Sequence, residues 1–229
     1  MVLELPYKIP QLFKHKASEI EVLTGINNPG YLSVTTIFKD YFSGVALNSA
    51  IWTEQIQFTG TITVGSGEVR LRTGLTSASI AGIIGKTYYN LEEDYLIIWE
   101  ARCKSDANAG HAGCSWGFKD STGDIYINFV SSSTTTIDAH TNIVTESGEE
   151  SFNYSISLDT TTYHDYKIIM VRNLIEWFID GHLIATLERG QEGFQTDAVL
   201  KKIANRMTIQ NLDATDCSIY STSTKIGIQ

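Results

Sequence analysis

Two carboxyl groups at alternate positions of a strand share a face, and a shared face is what paired acid–base chemistry needs. The acidic clusters of this sequence do not supply one in any simple way. Glu92, Glu93 and Asp94 are contiguous, so neighbours point to opposite sides and a turn is the natural reading. Glu146, Glu149 and Glu150 gather around Gly148 and read as loop. Glu19 and Glu21 alternate correctly but lie in an N-terminal segment unlike the rest of the chain. Glu100 and Glu176 can meet only through folding, and the alternative for each is a solvated or ion-paired acid. No catalytic residue is expected from these patterns.

Metal and thiol chemistry fare little better. Cys103, His111 and Cys114 are three of the four ligands a zinc site wants, at a spacing that fits no finger. With Cys217 the cysteines number three, an odd count that argues against a disulfide framework. Small buried apolar roles suit them, with a Cys103–Cys114 bridge across one loop as the other option. The histidines are scattered. His164 is expected to be hydrogen-bonded and partly buried, and His182 to face solvent. Neither a phosphate-binding loop nor a His-Glu-x-x-His motif is present.

Rings and amides remain. A sugar offers an apolar C–H face and a polar rim, and aromatic platforms beside amides suit both. Trp99, Trp116, Tyr126, Asn128 and Trp177 are the ligand-binding candidates on that chemistry. The competing role for each ring is simply to fill a core.

The elements that would position them are strands. Ile62 and Val64 alternate with Thr61 and Thr63, Ser66-Gly67 turns the chain, and Val69 and Leu71 alternate with Glu68, Arg70 and Arg72. Phe58 and Gly60 extend the first of these runs in the same alternation. Tyr95–Cys103 reads as a longer strand, and strands over Cys114–Phe118 and Ile125–Val130 follow. Ser131–Thr136 reads as a loop or a weak edge strand. Asp180-Gly181 joins two apolar runs as a two-residue hairpin turn, pairing Ile179 with His182, Phe178 with Leu183, Trp177 with Ile184 and Glu176 with Ala185. Both faces of that hairpin are apolar apart from Glu176. One must be core; a loop, an arm, a partner or a ligand covers the other.

At 229 residues the chain can bury one large core, and charged residues make up only 19% of it. The net charge of −9, with no basic run, points away from nucleic acid and anionic membrane surfaces. No apolar run of about 18 residues is present to span a bilayer, and the N-terminus does not read as a secretory signal. Residues 1–32 hold all three prolines and read as an N-terminal extended arm or docking segment, with residues 33–229 as one domain. Leu12, Phe13, Ile20, Val22 and Leu23 are the arm's candidates for contact with a partner.

Several segments, in order, are similar to the concanavalin A-like lectin/glucanase superfamily, including its laminin G-like domains. They are Phe38-Lys-Asp-Tyr-Phe-Ser-Gly44 with Leu47 and Trp52, Gly67-Glu-Val-Arg-Leu71, Tyr95–Lys104, Trp116-Gly-Phe-Lys-Asp120, and Tyr163–Ile168 through Asp180-Gly181. The resemblance spans about residues 36 to 228 and implies an all-β fold: an antiparallel β-sandwich, jelly roll, concanavalin A-like. In the superfamily's laminarinase-type hydrolases a strand carries acids in a Glu-x-Asp-x-(x)-Glu pattern, and no segment here matches it. The expectation is therefore a non-catalytic adhesion or assembly module, not an enzyme. The particular form expected is a virion structural protein, a phage capsid decoration or tail-associated protein at the virion surface or extracellular. Its partners would be other copies of itself or other virion proteins, engaged through the arm. A carbohydrate-binding lectin module recognising cell-surface glycan is the alternative, and a glycoside hydrolase with displaced carboxylates the third. No cofactor is expected, although the superfamily leaves calcium open, with Asp40, Asp213 and Asp216 the acids nearest the relevant motifs.

Overall fold

A computed structural model describes residues 35–89, 96–120, 122, 124–131, 133–145, 148–171, 173–194 and 203–228. The arm candidates Leu12, Phe13, Ile20, Val22 and Leu23 lie outside the described residues. Threonine-, isoleucine- and tyrosine-rich alternation becomes strands throughout, as pleated half-buried surfaces favour. In chain order these are β1 (Thr35–Asp40), β2 (Trp52–Gln57), β3 (Thr61–Gly65), β4 (Glu68–Arg72) and β5 (Ile80–Tyr89). Next come β6 (Leu96–Ser105), β7 (Ala112–Asp120), β8 (Ile125–Ser131), β9 (Thr136–Thr145) and β10 (Gly148–Ser157). The last are β11 (His164–Val171), β12 (Leu174–Ile179), β13 (His182–Glu188), β14 (Ile203–Asn211) and β15 (Ser218–Ile228).

They form two antiparallel sheets. One has eight strands in the order β13-β12-β11-β6-β15-β4-β3, with β1 also on β15; the other has seven, β10-β9-β8-β7-β14-β5-β2. The inner faces supply a single large core that includes Leu71, Ile83, Trp99, Trp116, Phe129 and Trp177. This is the all-β sandwich of jelly-roll type expected from the sequence.

Three local expectations need correction. Phe58 does not continue a strand: its φ is 53° and it is exposed, because the chain turns between β2 and β3. In the Asp180-Gly181 hairpin, where both turn residues have positive φ, Ile179 pairs with His182 and Phe178 with Leu183. A bulge then shifts the register, so that Trp177 faces Ala185 and Glu176 faces Thr186. The extra residue turns Leu187 inward beside Ala185, which no pairing rule read from the turn alone could foresee. Glu149 and Glu150 stand in β10, in a hairpin with β9, where a loop was expected.

Candidate functional site

Alternation along the seven-stranded sheet separates its core side from an outward side. In β7, Cys114, Trp116 and Phe118 are core, so Gly113, Ser115, Gly117 and Lys119 face out. In β8, Ile125, Ile127 and Phe129 are core, so Tyr126, Asn128 and Val130 face out. By the same rule β9 presents Asp138, His140 and Asn142, and β14 presents Arg206, Thr208 and Gln210. Register aligns them in rows across the sheet: Arg206–Gly117–Asn128–His140–Asn153, and Lys119–Tyr126–Asn142–Ser151 beside it.

Four buried side-chain atoms on this face have no hydrogen-bond partner: Asn128 Oδ1, Asn142 Oδ1, Arg206 Nε and Thr208 Oγ1. Buried polar atoms are almost always paired, so such a group on one face calls for a ligand or water. Burial pushes the Arg206 guanidinium down from its usual range, and its Nη2 donates to Gln55 Oε1 at 3.3 Å. Tyr126 lies beneath two cations, Lys119 at 5.0 Å and Arg206 at 5.9 Å from its ring centre. Asn142 Nδ2 donates to Glu149 Oε1 at 2.6 Å, and His140 Nδ1 lies 2.8 Å from Asn153 Oδ1. Gly117, with φ at 148°, leaves the floor open, since a Cβ there would stand 2.6 Å from the Asn128 Cα.

The sequence candidates divide sharply. Tyr126 and Asn128 stand on this face. Trp99, Trp116 and Trp177 are corrected: all three are fully buried between the sheets and offer no ring to a ligand. Odd-numbered positions of β6 and β12, and even-numbered positions of β7, point inward, which decides their role. Two of them instead brace the floor from below. Trp177 Nε1 donates to the Asn128 carbonyl at 3.2 Å, and Trp99 Nε1 to Asn205 Oδ1 at 2.8 Å, next to Arg206. Arg206, Thr208, His140 and Asn142 escaped sequence reasoning. Their only signal was strand alternation in two segments with no catalytic motif.

Other candidates resolve to structural roles. Glu100 sits on the opposite sheet, paired to Lys167 at 3.1 Å and Lys225 at 3.0 Å, and these lysines hold its carboxyl low despite burial. A groove of about 530 Å³ beside it is lined also by Lys39, Arg102 and Asp165, the last two paired with each other at 3.0 Å. Cys103, Cys114 and Cys217 are buried free thiols; burial raises Cys103 to about 12 and Cys217 to about 11. His111 bonds Asp213 at 2.5 Å, and His164 bonds Asp180 at 2.6 Å. Gly113-Cys-Ser-Trp-Gly117 has nucleophile-elbow spacing, but it runs mid-strand in β7, where no strand–turn–helix exists to expose Ser115 as a nucleophile.

Calcium would need clustered free oxygens. Asp40 instead accepts from the Phe42 amide and from Trp52 Nε1 at 2.7 Å, and Asp216 is tied to Arg72. Among the described residues no three His, Cys, Asp or Glu side chains converge. No helix among them is long and apolar enough to cross a membrane.

Comparison with known proteins bears directly on this face. The profile of the glycosyl hydrolases family 16 matches residues 63–225. The catalytic domain of an endo-1,3-beta-glucanase (laminarinase) from Thermotoga petrophila superposes with a TM-score of 0.66 at 13% identity, covering 86% of this chain and 98% of that one. A Bacillus licheniformis beta-glucanase gives 0.62 at 18%, covering 82% and 96%. A glycosyl hydrolase family protein from Mycobacterium fortuitum gives 0.67 at 13%, covering 84% and 100%. No curated protein sequence matches the chain. The family match overturns the expectation of a non-catalytic adhesion or assembly module, and with it the expectation that the chain is no enzyme. Nothing in these matches carries a virion context.

Proposed function

The chain belongs to the glycosyl hydrolases family 16, and from that premise we propose that it hydrolyses a β-linked polysaccharide lying across the outward face of the seven-stranded sheet. One observation carries the reading: Asn128, Asn142, Arg206 and Thr208 all present unpartnered polar atoms to that face. Sugar hydroxyls both donate and accept, so one chain of them can satisfy amide oxygens, a hydroxyl and a guanidinium together. From β14 to β9 the row covers three strand spacings, about 14 Å, long enough to hold several hydroxyls in register. Gly113 and Gly117 keep the middle of the floor low, and Tyr126 supplies a ring beside it.

Hydrolysis needs a proton donor at the glycosidic oxygen and a second carboxylate to act on water or on the sugar. Among the described strands none carries the Glu-x-Asp-x-(x)-Glu alternation of laminarinase-type relatives; β8 presents Tyr126, Asn128 and Val130 instead. Asp124 and Glu149 are the nearest substitute. Both flank Val144: its amide donates to the Asp124 carbonyl at 2.9 Å, and Glu149 is its register partner. Two strand spacings put their backbones about 10 Å apart, so side chains leaning together leave room for one water. Glu149 is held by Asn142, and Asp124 accepts from Thr122 Oγ1 at 2.6 Å. In this reading one of the pair protonates the leaving oxygen while the other activates the attacking water.

The test is reducing-end release from laminarin and mixed-linkage β-glucan, with anomeric configuration read by NMR. Asp124→Asn and Glu149→Gln should each lower kcat by about 100-fold or more. Asp138→Asn, at the far end of the face, should stay within a few-fold. Wild-type rates in both of the first two variants would dismiss the pair. No hydrolysis of any β-linked glycan by the wild-type chain would dismiss the reading.

A further inference from the structure

Basic residues are scattered in the sequence and gathered by the fold. Alternation along β1, β4, β6, β11 and β15 turns Lys39, Arg70, Arg102, Lys104, Lys167 and Lys225 to the outward face of the eight-stranded sheet. These are six of the eleven lysines and arginines among the described residues, and none of the six is buried. A chain of net charge −9 therefore concentrates its cations on one surface. Glu68, Glu100, Asp106, Asp165 and Asp180 lie between or beside them.

Tyrosine rings, rather than carboxylates, hold part of this set. Register lines up Thr63, Arg70, Tyr220 and Lys104 across β3, β4, β15 and β6. Tyr220 has Arg70 at 5.3 Å and Lys104 at 5.0 Å from its ring centre. Tyr163 has Lys104 at 4.7 Å and Arg102 at 5.7 Å. The result is one ladder, Arg70–Tyr220–Lys104–Tyr163–Arg102. Among the described residues neither Arg70 nor Lys104 forms an ion pair, and the Arg70 guanidinium donates to the Ser218 hydroxyl at 3.0 Å. A ring attracts a cation without neutralising it, so both charges stay available to an outside anion. Arg102 joins the ladder to the groove of about 530 Å³, where Lys39, Lys225 and Lys167 share a row with one carboxylate, Glu100. Tyr41 lines the same groove and is 53% exposed, with Lys39 4.5 Å from its ring centre.

We propose that this face binds an acidic polysaccharide whose carboxylates recur on alternate sugars. Dense polyanions fit it badly, because nucleic acid would set some of its closely spaced charges against Glu68, Glu100 and Asp165. A sugar chain with spaced acids meets both signs: its carboxylates accept from the cations, and the hydroxyls between them donate to the acidic side chains. Arg70 and Lys104 stand two strand spacings apart, about 10 Å, a length that two linked pyranose rings span. The site is on the sheet opposite Asn128 and Arg206, so it holds a chain without occupying the row proposed for hydrolysis. The choice of a saccharide rests on the proposed function, whereas the cation ladder does not.

Affinity electrophoresis of the full chain at low salt, through gels containing hyaluronan, laminarin or single-stranded DNA, tests the site. Hyaluronan should retard the wild type more than DNA does. Arg70→Gln with Lys104→Gln should raise the apparent Kd for hyaluronan about tenfold or more and leave that for laminarin unchanged. Lys104→Arg keeps the charge between the two rings and should match the wild type. Arg206→Ala should leave hyaluronan binding intact; its loss there would put the acidic chain on the other sheet and overturn the proposal. No retardation by hyaluronan, unchanged retardation of the double variant, or stronger retardation by DNA would each overturn it as well. Retention needs no turnover, so failure of hydrolysis and failure of this site are read separately.

Discussion

Glu176 is the residue whose chemistry is most constrained by its surroundings. It is almost fully buried, and burial alone raises its carboxyl from 4.5 to about 7. Its register partners, Ile169 and Thr186, carry no charge to offset this. The unfolded chain gives up this proton first, so between pH 4.5 and 7 the folded state holds more protons than the unfolded one. Stability therefore falls as pH rises through that window, by about 3 kcal/mol in full. Glu176→Gln should raise Tm at pH 8 while leaving it nearly unchanged at pH 4, as thermal melts across that range will read. Equal Tm values at pH 8 would show that the carboxyl is hydrated. On the opposite sheet, Arg206 is the charged group of the proposed binding row, buried and with its Nε unpartnered. Arg206→Ala should raise KM for β-glucan roughly tenfold, the scale of a charged hydrogen bond, with kcat changed less. An unchanged KM would remove the guanidinium from the binding row.

Strands, rather than loops, hold the proposed binding row in place. β8 and β14 are fixed from beneath by indole N–H groups of the facing sheet, through Trp177 to the Asn128 carbonyl and Trp99 to Asn205. Trp177→Phe keeps an aromatic ring but removes the bond and leaves a small cavity in the core. It should cost about 2–3 kcal/mol in stability and raise KM without abolishing folding. Calorimetry beside steady-state kinetics checks both, and a change in stability without one in KM would separate the brace from the site. Gly117 acts in the same row from the other side. Its φ of 148° and the 2.6 Å approach to the Asn128 Cα leave no room for a methyl group. Gly117→Ala should therefore lower Tm by several degrees, more than the same change at Gly113, where a Cβ meets nothing within 4 Å.

At the scale of the whole molecule the two outward faces have opposite fates. One is polar, carries unsatisfied atoms and is the proposed sugar face; the other is ion-paired around Glu100 at one end and apolar and buried at the other. A saccharide that occupies the first must stabilise the fold by mass action. With Glu149→Gln to prevent turnover, a β-glucan oligosaccharide at about 100 times its Kd should add about 2.7 kcal/mol, or roughly 5–10 °C in Tm. No shift with any β-linked oligosaccharide would argue that the polar face is not a sugar site.

The strands were legible from the residues because alternation is a local property. Val69 and Leu71, Trp99 and Cys103, and Ile125 and Ile127 each mark an inner face by spacing alone. The Asp180-Gly181 turn was equally legible, since its backbone demands residues tolerant of positive φ. Which outward face would gather the chemistry was not. Arg206, Thr208, Asn128 and Asn142 come from three strands scattered over about eighty residues, and only the order β14-β7-β8-β9 makes them neighbours. Alternation also could not tell an inward tryptophan that braces a site from an outward one that forms it. That distinction depends on what the opposing sheet presents, and the packing of two sheets is decided in three dimensions.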